Sequence, residues 1–261
     1  MRKISAVVID LDGTLLRRDK TISERSRQAL EKCREQGVAV VVASARPERV
    51  ITCYEELKAA DALITLNGAR IRIGEQIFHN GIQREDGKAL LERYLSHDDL
   101  SISLETGDGI HGNTTIPEWN VIGRPDLLSV MDACDLYKIL ISAKDREKKI
   151  EDRIRGEIEM LRLEELVYYS VSEGWLYQVM SRTATKWNAA KLVLGMLEKS
   201  PREAVYFGDD NDDFECISNM GLGVAMGNSI PRILEAADEI APTNEEDGVA
   251  VVLERLLNER A

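Results

Sequence analysis

The sequence predicts a doubly wound, parallel-sheet α/β fold that carries an inserted α+β unit. Three observations support this. Short, continuous apolar runs recur in both outer parts of the chain. Segments with helical spacing and clear stop signals separate them. A middle stretch of shorter, alternating segments interrupts the series before it resumes.

Taken in order, residues 4–9 are apolar and largely β-branched, with Ser5 the one polar member, as expected of a strand buried on both faces. A helix follows. Thr21 and Glu24 have capping-box spacing, Ala29, Leu30 and Cys33 mark an apolar stripe, and Gly37 is a stop signal. Residues 38–43 read as a second buried strand, Pro47 suits a helix start, and residues 62–66 read as a third strand. From about Ile71 to about Met180 the pattern shortens and alternates. Ile71-Arg72-Ile73, Ser101-Ile102-Ser103-Leu104 and residues 137–141 read as strands, and residues 86–95 and 145–161 as helices. Residues 80–182 are therefore expected to form the inserted unit, with 1–79 and 183–261 as the core. The first pattern returns with a helix over 186–197, a strand over 204–207, a loop and a helix, and a short strand over 221–225.

Composition narrows the function. The 261 residues are 44% hydrophobic and 31% charged, which fits a packed globular chain. The net charge of −12 argues against general binding to nucleic acid or to anionic membranes. No run reaches the ~18–20 apolar residues of a membrane-spanning helix, and the N-terminal apolar run is too short for a signal peptide, so a cytoplasmic location is expected. Cys33, Cys53, Cys134 and Cys216 are far apart, with no paired motif, and read as reduced thiols.

Four segments carry chemistry. Asp10-Leu11-Asp12-Gly13-Thr14 directly follows the first buried strand, where ligand sites form in such sheets. Two carboxylates at that spacing repel each other and call for a cation or a shared proton. Ser44 and Arg46 follow the second strand. Lys186 sits at a predicted helix start, a position the helix dipole disfavours for a cation. Gly208-Asp209-Asp210-Asn211-Asp212-Asp213 follows a later buried strand and supplies hard oxygen donors of the kind Mg²⁺ takes.

In this order the four segments resemble the signature of the haloacid dehalogenase superfamily of phosphohydrolases. Within it, the chain looks most like the Cof-type sugar-phosphate phosphatases, which carry an inserted α+β (type IIB) cap. Asn67-Gly68-Ala69 and Gly223-Val224-Ala225-Met226-Gly227-Asn228 match further stretches of that subfamily. The resemblance implies a Mg²⁺-dependent phosphatase acting on small phosphorylated metabolites. Asp10 would be the nucleophile and Asp12 the general acid and base. Ser44 and Lys186 would bind the phosphoryl oxygens. The Asp10 carboxylate, the Asp12 backbone carbonyl, Asp209 and Asp213 would hold the metal, Asp213 alternatively holding Lys186 in place.

Some positions depart from the family pattern: Ser44 for threonine, Ala45 and Trp187 for glycine, Gln178 for glutamate, and Asp212 for asparagine. The inserted unit is expected to select the leaving group, with Asp108 and His111 in the 105–111 loop, beside Arg46, as candidate substrate contacts. A monomer or small homo-oligomer is expected. A phosphomutase or phosphotransferase, which shares this motif set, and a non-catalytic metabolite-binding module are the alternatives.

Overall fold

The computed structural model describes residues 4–114, 121–124, 126–145, 149–172 and 174–259. It contains two compact units: Met1–Phe78 with Thr185–Ala261, and His79–Ala184.

The first unit begins with β1 (Ala6–Ile9), α1 (Glu24–Glu35), β2 (Ala39–Ala43), α2 (Glu48–Ile51), β3 (Ala62–Thr65), β4 (Arg70–Ile73) and β5 (Gln76–His79). All four side chains of β1 are fully buried. Alternate residues enter opposite faces. Val7 and Ile9 pack with Leu30 and Cys33 of α1, while Ala6 and Val8 join the second apolar layer. Burying each Val or Ile in this way contributes roughly 1.5–3 kcal/mol, which is why so short a segment forms a stable central strand.

The N-cap of α1 is Ser23, whose side chain accepts from the Ser26 amide, and not Thr21. Thr21 is engaged elsewhere: its amide and hydroxyl both donate to Asp19, which closes a turn before the helix. The alternating segment around Ile71 belongs to the core sheet as β4, antiparallel to β3.

The second unit holds α3 (Arg84–Leu95), β6 (Leu100–Thr106), β7 (Ile110–Gly112), β8 (Ile122–Gly123), α4 (Leu127–Ala133), β9 (Leu136–Ala143), α5 (Glu151–Met160), β10 (Val167–Ser172) and β11 (Leu176–Ser181). Its six-stranded sheet runs β10-β11-β9-β6-β7-β8. One face, through Ile102, Leu104, Ile139 and Ile141, packs on Leu90, Leu91 and Tyr94 of α3 and Ile154 of α5. α5 starts later than the expected 145; residues 146–148 of that segment lie outside the described residues.

The chain then completes the first unit with α6 (Lys186–Met196), β12 (Ala204–Gly208), α7 (Phe214–Asn219), β13 (Leu222–Ala225), α8 (Pro231–Ala236), β14 (Glu239–Ile240) and α9 (Gly248–Asn258). The core sheet order is β14-β13-β12-β1-β2-β3-β4-β5, parallel from β14 through β3. β1 is flanked by β2 on one side and β12 on the other, so the strand order reverses there. The crevice beyond the carboxyl ends of strands at such a switch point is where this architecture places ligands. No helix among the described residues is long and apolar enough to cross a membrane.

Candidate active site

Asp10 and the Asp209 loop meet because β1 and β12 pair in parallel, with Ile9 opposite Phe207. The Asp10 amide donates to Phe207 O at 3.0 Å. Asp10 is buried, and Lys186, buried to 2% exposure, reaches it from the first turn of α6. Lys186 Nζ lies 2.7 Å from Asp10 Oδ1, 2.7 Å from Asp213 Oδ1 and 3.2 Å from Asp212 Oδ2. The dipole penalty for a lysine in the first turn of a helix, about 0.3–1 kcal/mol, is small beside three carboxylate partners at these distances. Burial alone would lower the Lys186 pKa, but the charges of Asp10, Asp213 and Asp212 outweigh it and hold the ammonium well above its ordinary value.

Carboxylate oxygens of Asp10, Asp209 and Asp213 all lie within 4.8 Å of one another. Burial raises the Asp10 pKa well above the usual carboxylate range; Lys186 opposes the rise, and Asp213 and Asp212 add to it. Burial also lifts Asp209 to about 7; the Thr14 hydroxyl, 2.9 Å away, opposes this and the Asp213 charge adds to it. Two crowded carboxylates with raised pKa values are a site that gains from a cation, and an all-oxygen donor set fits Mg²⁺. Gly13 makes the crowding possible. Its φ is +77°, and a Cβ there would run into the Asp209 carboxylate.

Asp213 is differently placed. Its Oδ1 accepts from Lys186 Nζ and from the Tyr206 hydroxyl (2.5 Å), and its Oδ2 accepts the backbone amides of Asp209 (2.9 Å) and Asp210 (3.1 Å). These four donors match the lone-pair sites of a carboxylate.

Asp12 is half exposed and held from two sides. Arg46 grips it with a fork, Nε to Oδ2 at 2.5 Å and Nη2 to Oδ1 at 2.7 Å, and Lys20 Nζ adds a contact at 2.7 Å. Burial pushes the Asp12 pKa up, but the bonds and charges of Arg46 and Lys20 outweigh it and leave it below the ordinary value. Arg46 therefore braces Asp12. Ser44, buried at the end of β2, accepts the Arg46 amide at 3.1 Å through Oγ and donates its own amide to Ile64 O.

Asp108 and His111 belong to the β6–β7 hairpin of the second unit. Asp108 Oδ1 accepts from Thr106 Oγ1 (2.6 Å) and bonds His111 Nε2 (3.0 Å), and those two bonds lead the causes that hold its pKa below the usual range. Arg124 Nε donates to His111 Nδ1 at 3.3 Å, so the buried ring carries its proton on Nε2. These contacts brace the hairpin. Gln178 accepts from Lys138 at 3.2 Å, and Trp187 packs on the core with Lys191 over its ring.

Tyr206, Thr14, Lys20 and Asn228 complete the site without having been singled out individually from the sequence. Asn228 Nδ2 donates to Gly13 O at 2.7 Å and so pins the Asp10–Thr14 loop. It lies in a stretch that matches the subfamily, which was the available signal. A tyrosine inside an apolar strand, as at Tyr206, gives no such signal.

The chain matches a family model described as haloacid dehalogenase-like hydrolase over residues 7–253. It is 30% identical over 252 residues to 5-amino-6-(5-phospho-D-ribitylamino)uracil phosphatase YcsE of Bacillus subtilis, covering 95% of this chain and 93% of that one. YitU of the same organism, also a 5-amino-6-(5-phospho-D-ribitylamino)uracil phosphatase, is 26% identical over 270 residues, covering 94% of each chain. A solved haloacid dehalogenase-like hydrolase from Bacteroides thetaiotaomicron is 28% identical with a TM-score of 0.84, covering 97% of this chain and all of that one.

Proposed function

The chain belongs to the haloacid dehalogenase-like hydrolases, and on that premise we propose that it is a Mg²⁺-dependent phosphatase of small phosphorylated metabolites, sugar phosphates foremost. The observation that carries the reading is the buried Lys186, 2.7 Å from Asp10, beside the Asp10 and Asp209 carboxylates. Together they offer a nucleophile, a fixed cation and an oxygen-only metal cup in one crevice.

Asp10 and Asp209 would hold Mg²⁺, with the Asp12 backbone carbonyl. The metal supplies Lewis-acid stabilisation of charge on the phosphoryl oxygens when bound. We assign Asp213 to the bracket of Lys186, because its lone-pair sites are taken by protein donors. An Asp10 oxygen attacks phosphorus, an Asp10–phosphorus bond forms, and the bond to the leaving alkoxide breaks. Lys186 and Ser44 hold the transferring oxygens in position, the main demand of phosphoryl transfer. Asp12 gives its proton to the alkoxide. It then takes a proton from the water that attacks phosphorus and frees Asp10. The Arg46 and Lys20 contacts favour the ionised, base-ready Asp12 before substrate arrives, so for the acid step that grip must loosen and Asp12 must take up a proton from solvent before it protonates the alkoxide. Residues 80–182 are assigned the recognition of the leaving group.

The test is phosphate release from a panel of sugar phosphates, nucleotides, an aryl phosphate and 5-amino-6-(5-phospho-D-ribitylamino)uracil. Each is run with Mg²⁺ and with EDTA, beside Asp10→Asn. Release that needs Mg²⁺ and vanishes in the variant is expected. Transfer of the phosphoryl group to a second sugar without release would make the protein a mutase. Neither release nor transfer, in a folded chain that binds Mg²⁺, would overturn the enzymatic reading.

A further inference from the structure

The loop after β3 stands out in the backbone. Leu66, Asn67 and Gly68 are consecutive left-handed residues, with φ of +54°, +58° and +97°. That conformation is sterically disfavoured for leucine and tolerated by asparagine and glycine. Clustered strain of this kind persists only where surrounding contacts enforce it. Here the contacts run in two directions. The Leu66 amide donates to Arg46 O at 3.1 Å and the Asn67 amide to Ser44 O at 3.0 Å, so the turn holds both ends of the Ser44–Arg46 segment. On its other side Gly68 lies against the start of α6. A Cβ at Gly68 would sit 2.5 Å from Thr185 O and 3.1 Å from Ala189 Cβ. Thr185 is the N-cap of α6, and Lys186 is the next residue. The buried Oδ1 of Asn67 takes no hydrogen bond among the described residues, so the ties described here run through the backbone.

We propose that the Leu66–Gly68 turn is a positioning element that ties the Ser44 loop to the Lys186 helix and so fixes the two phosphoryl-binding groups relative to each other. The inference rests on the phosphatase reading for the roles of Ser44 and Lys186. The tie itself is read from backbone geometry alone.

The test compares Gly68→Ala, Asn67→Ala, Asn67→Gly and Gly74→Ala. Gly74 is the control: its φ is +55°, yet a Cβ there meets nothing within 4 Å, so alanine adds left-handed strain without displacing anything. The readouts are kcat and KM for an aryl phosphate, inhibition by orthovanadate and by inorganic phosphate, and Tm. Gly68→Ala should lower kcat at least about tenfold and weaken vanadate more than phosphate, since vanadate takes up the transition-state geometry. Gly74→Ala should lose some Tm from the left-handed strain alone, less than Gly68→Ala, with kinetics within about twofold. Asn67→Ala should lower kcat, and Asn67→Gly, which restores left-handed freedom without the amide, should recover most of the loss.

Gly68→Ala with kinetics and vanadate inhibition within about twofold of the parent would overturn the proposal. So would Asn67→Gly no better than Asn67→Ala, which would make the amide itself the working group. If the parent releases no phosphate, the phosphatase reading fails separately, and the tie is read from stability. Tm losses of Gly68→Ala and Lys186→Met that are less than additive support it, and strictly additive losses overturn it.

Discussion

Removing the Asp213 carboxylate should destabilise the core far more than it weakens metal binding. In Asp213→Ala, Lys186 keeps Asp10 and Asp212 as partners, so its ammonium stays paired. The Tyr206 hydroxyl, fully buried, loses the Asp213 oxygen 2.5 Å away, and the Asp209 and Asp210 amides lose their shared oxygen. An orphaned buried donor costs about 1–3 kcal/mol, and the two amides, nearer solvent, cost less each. The sum is roughly 3–5 kcal/mol, the range seen when one partner of a buried charged network is deleted. For a protein of this size that corresponds to a Tm lower by about 6–20 °C. Urea melts and calorimetric Mg²⁺ titrations on Asp213→Ala and Asp209→Ala measure both quantities. Asp209→Ala should lose Mg²⁺ affinity with no loss of Tm in EDTA, because it also removes a buried carboxylate whose ionisation opposes folding. An Asp213→Ala variant that binds no Mg²⁺ yet melts within about 2 °C of the parent would refute the reasoning, because a bracket cannot be removed without loss of stability.

Other outcomes follow from the same geometry. Gly13→Ala should abolish Mg²⁺-dependent turnover, because its Cβ collides with the Asp209 carboxylate; kinetics over a Mg²⁺ series check this. Arg46→Met removes the strongest lowering influence on Asp12 while burial remains, so the Asp12 pKa rises and the acid limb of the kcat/KM profile should move to higher pH. In the metal-free protein Asp209 titrates near 7 against an ordinary value of 3.8. Folding therefore favours its protonated form, and its contribution to stability is full at low pH and is lost as pH rises from about 4 to 7. The Tm difference between parent and Asp209→Asn in EDTA should widen over that window. Mg²⁺ affinity should fall as pH drops below 7, because proton and metal compete for the same oxygens.

The strands of the core were legible because a strand buried on both faces must be apolar throughout, as in Ala6–Ile9 and Ala39–Ala43. β4 was legible as a strand inside the expected core segment 1–79, though its residue pattern alone does not mark a core strand. Its Arg70 and Arg72 alternate with Ile71 and Ile73, a pattern that any half-buried strand shares, and both arginines pair with Glu48 of α2. The strands over Val167–Ser172 and Leu176–Ser181 were missed because serines and tyrosines break the apolar signal there. At the site, the carboxylates and Lys186 announced themselves as motifs. Lys20 did not, since its reach to Asp12 comes from a loop in which its own φ is +64°, a conformation no residue pattern there advertises.

The hydrogen bond from Thr14 to Asp209 spans 195 positions of sequence, and β1 finds its β12 partner across a similar interval. During synthesis the strand that bears Asp10 must wait, with one edge unpaired, while the whole of His79–Ala184 emerges and has time to fold as a unit. A nascent or truncated chain that stops before Ala204 would expose a bare apolar edge and one carboxylate, Asp10, of the Asp10–Asp209–Asp213 cluster. It would be a substrate for chaperones before it could be a catalyst, and the rate at which the last fifth or so of the chain is delivered would set when the core sheet is completed.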